Sequence, residues 1–192
     1  MRIAGGEWKG RNLKVPSGDA VRPTQDRVRE ALFSMLQFEL QGANVLDLVA
    51  GSGSVGLEAL SRGASRATFV ELAPRHAACL QANIAAVGAG ARCTVVKADV
   101  YAWLAAAAGC AFDVAYADPP YELGAEKGYA RVLALLAERD VVKAGGLFIA
   151  EMKGHQTPDE SPLWDLVRDR VYGQTRLAVY RRKLPLPNTD AV

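Results

Sequence analysis

The sequence predicts an α/β fold: a mostly parallel sheet with helices on both faces and an antiparallel hairpin at its C-terminal end. Three observations carry this. Short apolar runs alternate with segments of helical spacing between residues 45 and 151. A glycine-rich turn, Gly51-Ser-Gly-Ser-Val-Gly56, follows the first apolar run. Acids stand at the ends of successive runs: Asp47 in the first, then Glu71, Asp99 and Asp118.

The elements follow in order. Arg2 to Ala4 and Arg11 to Val15 read as short extended pieces separated by Gly5-Gly6 and Gly10. They predict a basic β-hairpin in a leading extension, residues 1–20, with Trp8 at the turn, where it either stacks on a base or covers the hairpin. Pro23 is placed to open a helix, with Thr24 to Phe38 as its body and Val28, Leu32, Met35 and Leu36 on one face. Val45 to Val49 reads as a strand, and Val55 to Leu60 has helical character. Ala67 to Val70, Cys93 to Lys97, Phe112 to Ala117 and Leu147 to Glu151 read as further strands. Pro74 to Val87, Val100 to Ala107 and Tyr129 to Glu138 read as the helices between them, and Gly145-Gly146 separates the last helix from its strand. Leu163 to Arg168 reads as a short helix, and Val171 to Tyr172 and Thr175 to Arg181 as extended runs about Gly173. The main domain therefore spans 21–184, and 185–192 is a loose tail.

The glycines at 51, 53 and 56 match G-x-G-x-x-G, and Glu71 lies twenty residues after Gly51. A dinucleotide-binding site predicts the same spacing. Asp47 weighs against it. It lies four residues before Gly51, where its charge would repel a pyrophosphate seated on the helix N-terminus. S-adenosylmethionine carries a sulfonium and an ammonium group instead, and an acid attracts both. Glu71 is then placed to hold two ribose hydroxyls, and Asp99 to accept from the adenine amino group.

Asp118-Pro119-Pro120-Tyr121 follows the run Phe112 to Ala117. Neither proline can donate to a sheet ladder, so the strand ends there in a stiff loop. A carboxylate and free carbonyls accept from an exocyclic amine, and the Tyr121 ring stacks on a flat base. In isolation the tetrad reads better as a proline turn after a strand. Its position downstream of the glycine motif makes it a clamp for an amino-bearing nucleobase.

The chain has 192 residues, half of them apolar, which is enough for one domain with a proper core and excludes disorder. No apolar run reaches the roughly 20 residues of a membrane span. The N-terminus lacks the apolar region of a secretory signal. Three cysteines, Cys79, Cys93 and Cys110, read as reduced thiols of a cytoplasmic protein, and two isolated histidines point to no metal. The net charge is only +2, but its distribution is uneven. Arg2, Lys9, Arg11, Arg22, Arg27 and Arg29 gather toward the N-terminus as candidate RNA phosphate contacts. Arg22 and Thr24 are alternatively shapers of the pocket entrance. Arg176, Arg181, Arg182 and Lys183 form a second basic group.

The sequence resembles the bacterial 16S rRNA (guanine-N2)-methyltransferases of the RsmD type. The residues that carry the resemblance are Arg2-Ile-Ala-Gly-Gly-Glu-Trp-Lys-Gly-Arg11, Arg22-Pro-Thr-Gln-Asp-Arg-Val-Arg-Glu30, Asp47-Leu-Val-Ala-Gly-Ser-Gly53, Gly56-Leu-Glu-Ala-Leu-Ser-Arg-Gly63, Asp118-Pro-Pro-Tyr121 and Tyr172-Gly-Gln-Thr175. The resemblance implies the class I S-adenosylmethionine-dependent, Rossmann-like fold with seven strands. It implies methyl transfer to N2 of guanine 966 in the small ribosomal subunit. It also implies that Asp47, Ala50, Gly51, Gly53, Glu71, Leu72, Asp99, Val100 and Asp118 line the cofactor site, and that Asp118, Pro119, Pro120 and Tyr121 hold the base. Relatives often carry a bulkier residue where this chain has Val49, and Ala-Leu where it has Ser54-Val55. A monomer without metal or membrane contact is expected. An adenine-N6 or cytosine-N4 DNA methyltransferase, a nicotinamide-dependent oxidoreductase and a non-catalytic RNA-binding or assembly protein are the alternatives.

Overall fold

The computed structural model describes residues 1–16, 23–109, 111–118 and 128–185. Seven strands form one sheet in the order β3-β2-β1-β4-β5-β7-β6. The strands are β1 Asn44–Leu48, β2 Arg66–Val70, β3 Cys93–Val96, β4 Phe112–Ala117, β5 Val142–Lys153, β6 Trp164–Tyr172 and β7 Thr175–Arg182. The first five are parallel, and β7 joins β5 and β6 antiparallel. The helices are α1 Pro23–Met35, α2 Ser54–Ser61, α3 Pro74–Val87, α4 Val100–Ala106 and α5 Ala130–Glu138.

Burial explains the layering. The two central strands β1 and β4 are buried almost throughout, as parallel strands covered on both faces must be. Leu32 and Phe33 of α1, Leu57 and Leu60 of α2 and Leu80 and Ile84 of α3 fill one face. Leu104 of α4 and Leu133 and Leu136 of α5 fill the other. Chain order reverses between β1 and β4, because β2 and β3 lie to one side and β5 to the other. Open α/β sheets open a crevice at such a point, at the carboxyl ends of the strands.

The leading residues are packed against this domain. Arg2 and Asn12 pair antiparallel, with the Ile3 N–H donating to the Arg11 carbonyl at 3.0 Å and the Leu13 N–H to the Met1 carbonyl at 2.9 Å, so the expected hairpin is present but short. Ile3, Trp8 and Leu13 are buried in the main core. Glu58, fully buried in α2, receives the Ala4 and Gly5 N–H groups at 2.8 and 2.9 Å and the Arg62 Nε at 2.8 Å. Ser61 accepts from the Trp8 N–H and donates to the Gly5 carbonyl. Asn83 of α3 accepts from the Lys14 N–H and donates to the Lys14 carbonyl. Trp8 covers the core in place of stacking on a base, with the Arg92 guanidinium 4.7 Å from its ring centre.

Two elements differ from expectation. Leu163 to Arg168 is not a helix: Trp164–Tyr172 is one edge strand paired with β7. Its apolar spacing suits either state, and Trp164 settles it by burying its ring near Phe148 and donating Nε1–H to the Leu133 carbonyl. Gly145-Gly146 does not precede β5 but lies within it. The register against β4 slips between Phe112 and Val114, and the glycines form the excursion.

Glu58→Ala strips a buried anchor from two N–H groups and from the Arg29 and Arg62 guanidiniums. It is expected to destabilise the fold by about 3 kcal/mol. Chemical denaturation measures the loss, and limited proteolysis should show the first cut within residues 1–16.

Candidate active site

The glycine turn is built by close approach. Gly53 caps α2 with φ +79°, and a Cβ on Gly56 would sit 2.3 Å from the Phe69 ring of β2. The helix therefore starts directly against the sheet. Its Gly56 N–H donates at 3.0 Å to Oδ2 of Asp47, which is 2% exposed on β1. Burial raises Asp47 to about 8; the Gly56 N–H opposes the rise and Glu71 adds to it. Val49, one residue past β1, adopts φ +61°, strained backbone for a β-branched residue. The strain turns the chain so that the Ala50 N–H reaches the Val70 carbonyl at 3.0 Å.

The remaining expected cofactor residues gather at the same sheet edge. Glu71 is buried, with Oε2 accepting from the Gly51 N–H and Oε1 from the Ala73 N–H, both at 2.7 Å. Each oxygen keeps a second lone pair for a hydroxyl. Leu72, beside it, is 53% exposed, an apolar surface open to a flat ring. Asp99 caps α4 through the Ala102 N–H at 2.9 Å, and Val100 follows it half-buried.

This donor set fits S-adenosylmethionine and does not fit a dinucleotide. The α2 amide that a pyrophosphate needs is already taken by Asp47, and the neighbouring charges are acidic. A buried carboxyl with a raised pKa gains from a cation beside it.

Asp118 is brought to the glycine turn, as expected. Leu48 of β1 pairs with Ala117 of β4, so Asp118 lies just past the strand beside the start of that turn. One cleft is lined by Met1, Arg29, Leu32, Ser54, Val55, Tyr116, Asp118 and Glu151. Asp118 is raised well above the usual carboxylate range, by lost solvation first and then by Glu151 and Asp47. Its side chain nevertheless reaches solvent at the cleft mouth, so the neighbouring acids are the firmer cause. Pro119, Pro120 and Tyr121, with Arg22, lie outside the described residues.

The basic residues divide. Arg2, Lys9, Arg11 and Arg27 are exposed. Arg29 departs from its expected phosphate role. It is buried, donating to Asp26 and to the Arg2 carbonyl at 2.9 Å, with Glu58 at 3.7 Å. These partners make it an internal brace for the leading segment.

Sequence reasoning missed Glu58, Asn83, Tyr116 and Glu151 as members of the surrounding structure. Glu58 and Asn83 had a visible signal, a polar residue inside an apolar helix face. Glu151 had another, since it ends an apolar run just as Glu71 and Asp118 do.

The chain matches a family model described as "Conserved hypothetical protein 95" over residues 1–181. It is 36% identical over 184 residues to "Ribosomal RNA small subunit methyltransferase D" of Escherichia coli K12, covering 95% of this chain and 90% of the relative. The protein of the same description from Haemophilus influenzae is 31% identical over 183 residues, covering 94% and 93%. The solved structure of the Escherichia coli protein yhhF superposes with a TM-score of 0.84 at 36% identity, covering 95% of this chain and 98% of that one.

Asp47→Asn keeps an acceptor for the Gly56 N–H but removes the group's capacity to ionise beside a cation. S-adenosylmethionine affinity should fall at least about tenfold, equivalent to roughly 1.4 kcal/mol, by isothermal titration. Stability should move the other way. With Asp47 raised to about 8, the folded state holds more protons than the unfolded state between the ordinary carboxylate value of 3.8 and that point. Its contribution to stability therefore declines as pH rises through that window, and thermal melts of Asp47→Asn should lack this decline.

Proposed function

This chain belongs to the family described as "Conserved hypothetical protein 95", and we propose that it transfers a methyl group from S-adenosylmethionine to N2 of a guanine in 16S rRNA, guanine 966 by the resemblance set out above. One observation carries the reading. Asp47 and Asp118 stand on adjacent strands at the point where strand order reverses, a buried acid that favours a cation close to an acid that lines the cleft. The similarity to ribosomal RNA small subunit methyltransferase D, over 95% of this chain, supports it.

When bound, S-adenosylmethionine supplies a methyl group activated by its sulfonium. Asp47 attracts the cationic end, while Glu71 and Asp99 offer their spare lone pairs to the ribose and the adenine amine. Leu72 and Val100 give apolar cover, and Ala50, Gly51 and Gly53 set the turn.

Asp118 does the work on the acceptor. A guanine N2 lone pair is delocalised into the ring and is a poor nucleophile. An N–H donated to the Asp118 carboxylate localises it and stabilises the positive charge that develops on nitrogen. An acid with a raised pKa is also suited to take the proton that must leave. In this reading Pro119, Pro120 and Tyr121 complete the clamp, and stacking on Tyr121 offsets part of the few kcal/mol, in order of magnitude, that it costs to unstack the base.

RNA contact falls to Arg2, Lys9, Arg11 and Arg27, with Arg22. Arg2 follows Met1, which lines the cleft, so the basic segment borders the entrance. The same reading makes the protein a cytoplasmic monomer that acts on the small subunit.

Asp118→Asn should lower methyl transfer by about 100-fold or more while cofactor binding persists. Labelled-methyl incorporation into small subunits from cells lacking the protein reads this, and near wild-type turnover by a folded variant would overturn the mechanism. Lys9→Ala should reduce the slope of log affinity against log salt by about 1, measured by filter binding.

A further inference from the structure

We propose that Glu151 selects the base, its carboxylate accepting the ring N1–H of guanine beside the reacting amine. This rests on the methyltransferase reading above and deepens it. Asp118 and the proline loop grip any exocyclic amine, so they do not distinguish guanine from adenine or cytosine. A second group must.

Glu151 is in the right place. Ala117 of β4 pairs with Ala150 of β5, so Asp118 and Glu151 are the next residues of two adjacent parallel strands. Residues in step on parallel neighbours share a face, and both line the same cleft. Along the sheet edge the acids run Asp47 on β1, Asp118 after β4 and Glu151 on β5. Glu151 is thus on the far side of Asp118 from the cofactor acid. The ring edge falls there once the amine faces the methyl donor.

Glu151 is also held. Its Oε2 accepts from the Tyr116 hydroxyl at 2.6 Å. Its backbone carbonyl accepts from the Tyr129 hydroxyl at 2.6 Å, and that hydroxyl lies 3.1 Å from the Ala117 carbonyl, tying the two strand ends together. Among the described residues no hydrogen bond to Oε1 is found. Among the described residues, the titratable and charged groups around the carboxylate are Asp118, Asp47, Tyr116, Tyr129 and the cleft-lining Arg29. A second acid in a cleft that already holds Asp118 raises the cost of charge there. A donor arriving with the substrate relieves it. Burial raises Glu151, and the Tyr116 hydroxyl opposes the rise, favouring the carboxylate form.

The chemistry is selective. Guanine presents N1–H next to its N2 amine, two donors side by side. Adenine N1 and cytosine N3, the atoms next to their amines, carry lone pairs. A carboxylate only accepts, so it binds the first arrangement and repels the other two.

The test uses 2-aminopurine, which keeps the N2 amine and lacks the N1 proton. Small subunits reconstituted with guanine or 2-aminopurine at position 966 are given to the full-length enzyme, and kcat/KM is compared. Wild type should prefer guanine by about 10- to 100-fold. Glu151→Gln, which can donate to the bare ring nitrogen, should collapse that ratio toward unity. Tyr116→Phe, which releases the carboxylate without removing it, should lower the ratio by a smaller factor. The variants' affinity for S-adenosylhomocysteine, read by titration, should stay near that of wild type. If Glu151→Gln lowers both rates equally and leaves the ratio intact, the residue is structural and the proposal is wrong. If Glu151→Gln fails to fold, an unchanged ratio in Tyr116→Phe overturns it. No transfer by wild type to the guanine particle would instead sink the function reading itself.

Discussion

The structure depends on a carboxylate placed where a helix begins. Asp47 on the central strand β1 takes the Gly56 N–H at 3.0 Å and thereby fixes α2 against the sheet. The contact has three consequences. It fills the amide position that phosphate-binding folds leave free. It closes a turn in which Val49, Gly51 and Gly53 all take positive φ. And it buries an acid whose pKa rises to about 8, so the site favours a cation. A cofactor with a sulfonium and an ammonium group answers that need, and one with a pyrophosphate does not.

Around this contact the crevice is acidic throughout. Asp47, Glu71, Asp99, Asp118 and Glu151 all stand at or just beyond the carboxyl ends of parallel strands. Three of them accept from backbone N–H groups at the start of a helix or turn, Asp47 and Asp99 with one oxygen each, from Gly56 and Ala102, and Glu71 with both, from Gly51 and Ala73. Each acid thus shapes the backbone and keeps capacity for a ligand. Asp118 and Glu151 are different, since they face the cleft as neighbours and raise one another's cost of ionisation. That tension suits groups that receive protons or donors from a substrate.

The leading segment is joined to this site through the core. Glu58 and Ser61 hold it on α2, and Asn83 links the Lys14 backbone to the Ser52 carbonyl of the glycine turn. The same residues that display Arg2, Lys9 and Arg11 to solvent therefore brace the turn below. The exposed basic surface and the order of the glycine turn share one support.

By itself the sequence determined the alternation that makes the sheet parallel, because apolar runs and helical spacing are local patterns. Pro74–Val87 is a helix and Phe112–Ala117 a strand at the residues the pattern marks. It also determined the acids at the strand ends, since an acid closing an apolar run is visible without coordinates. Only the tertiary structure decided the rest. Leu163 to Arg168 became part of a strand because β7 offered a partner and Trp164 found a buried place. Arg29 turned inward because Glu58, distant in sequence, lay beneath it. Glu151 joined the site because strand register, a property of two chains of residues lying side by side, set it next to Asp118. Local pattern fixes which face a residue prefers, but only packing fixes which residue it meets.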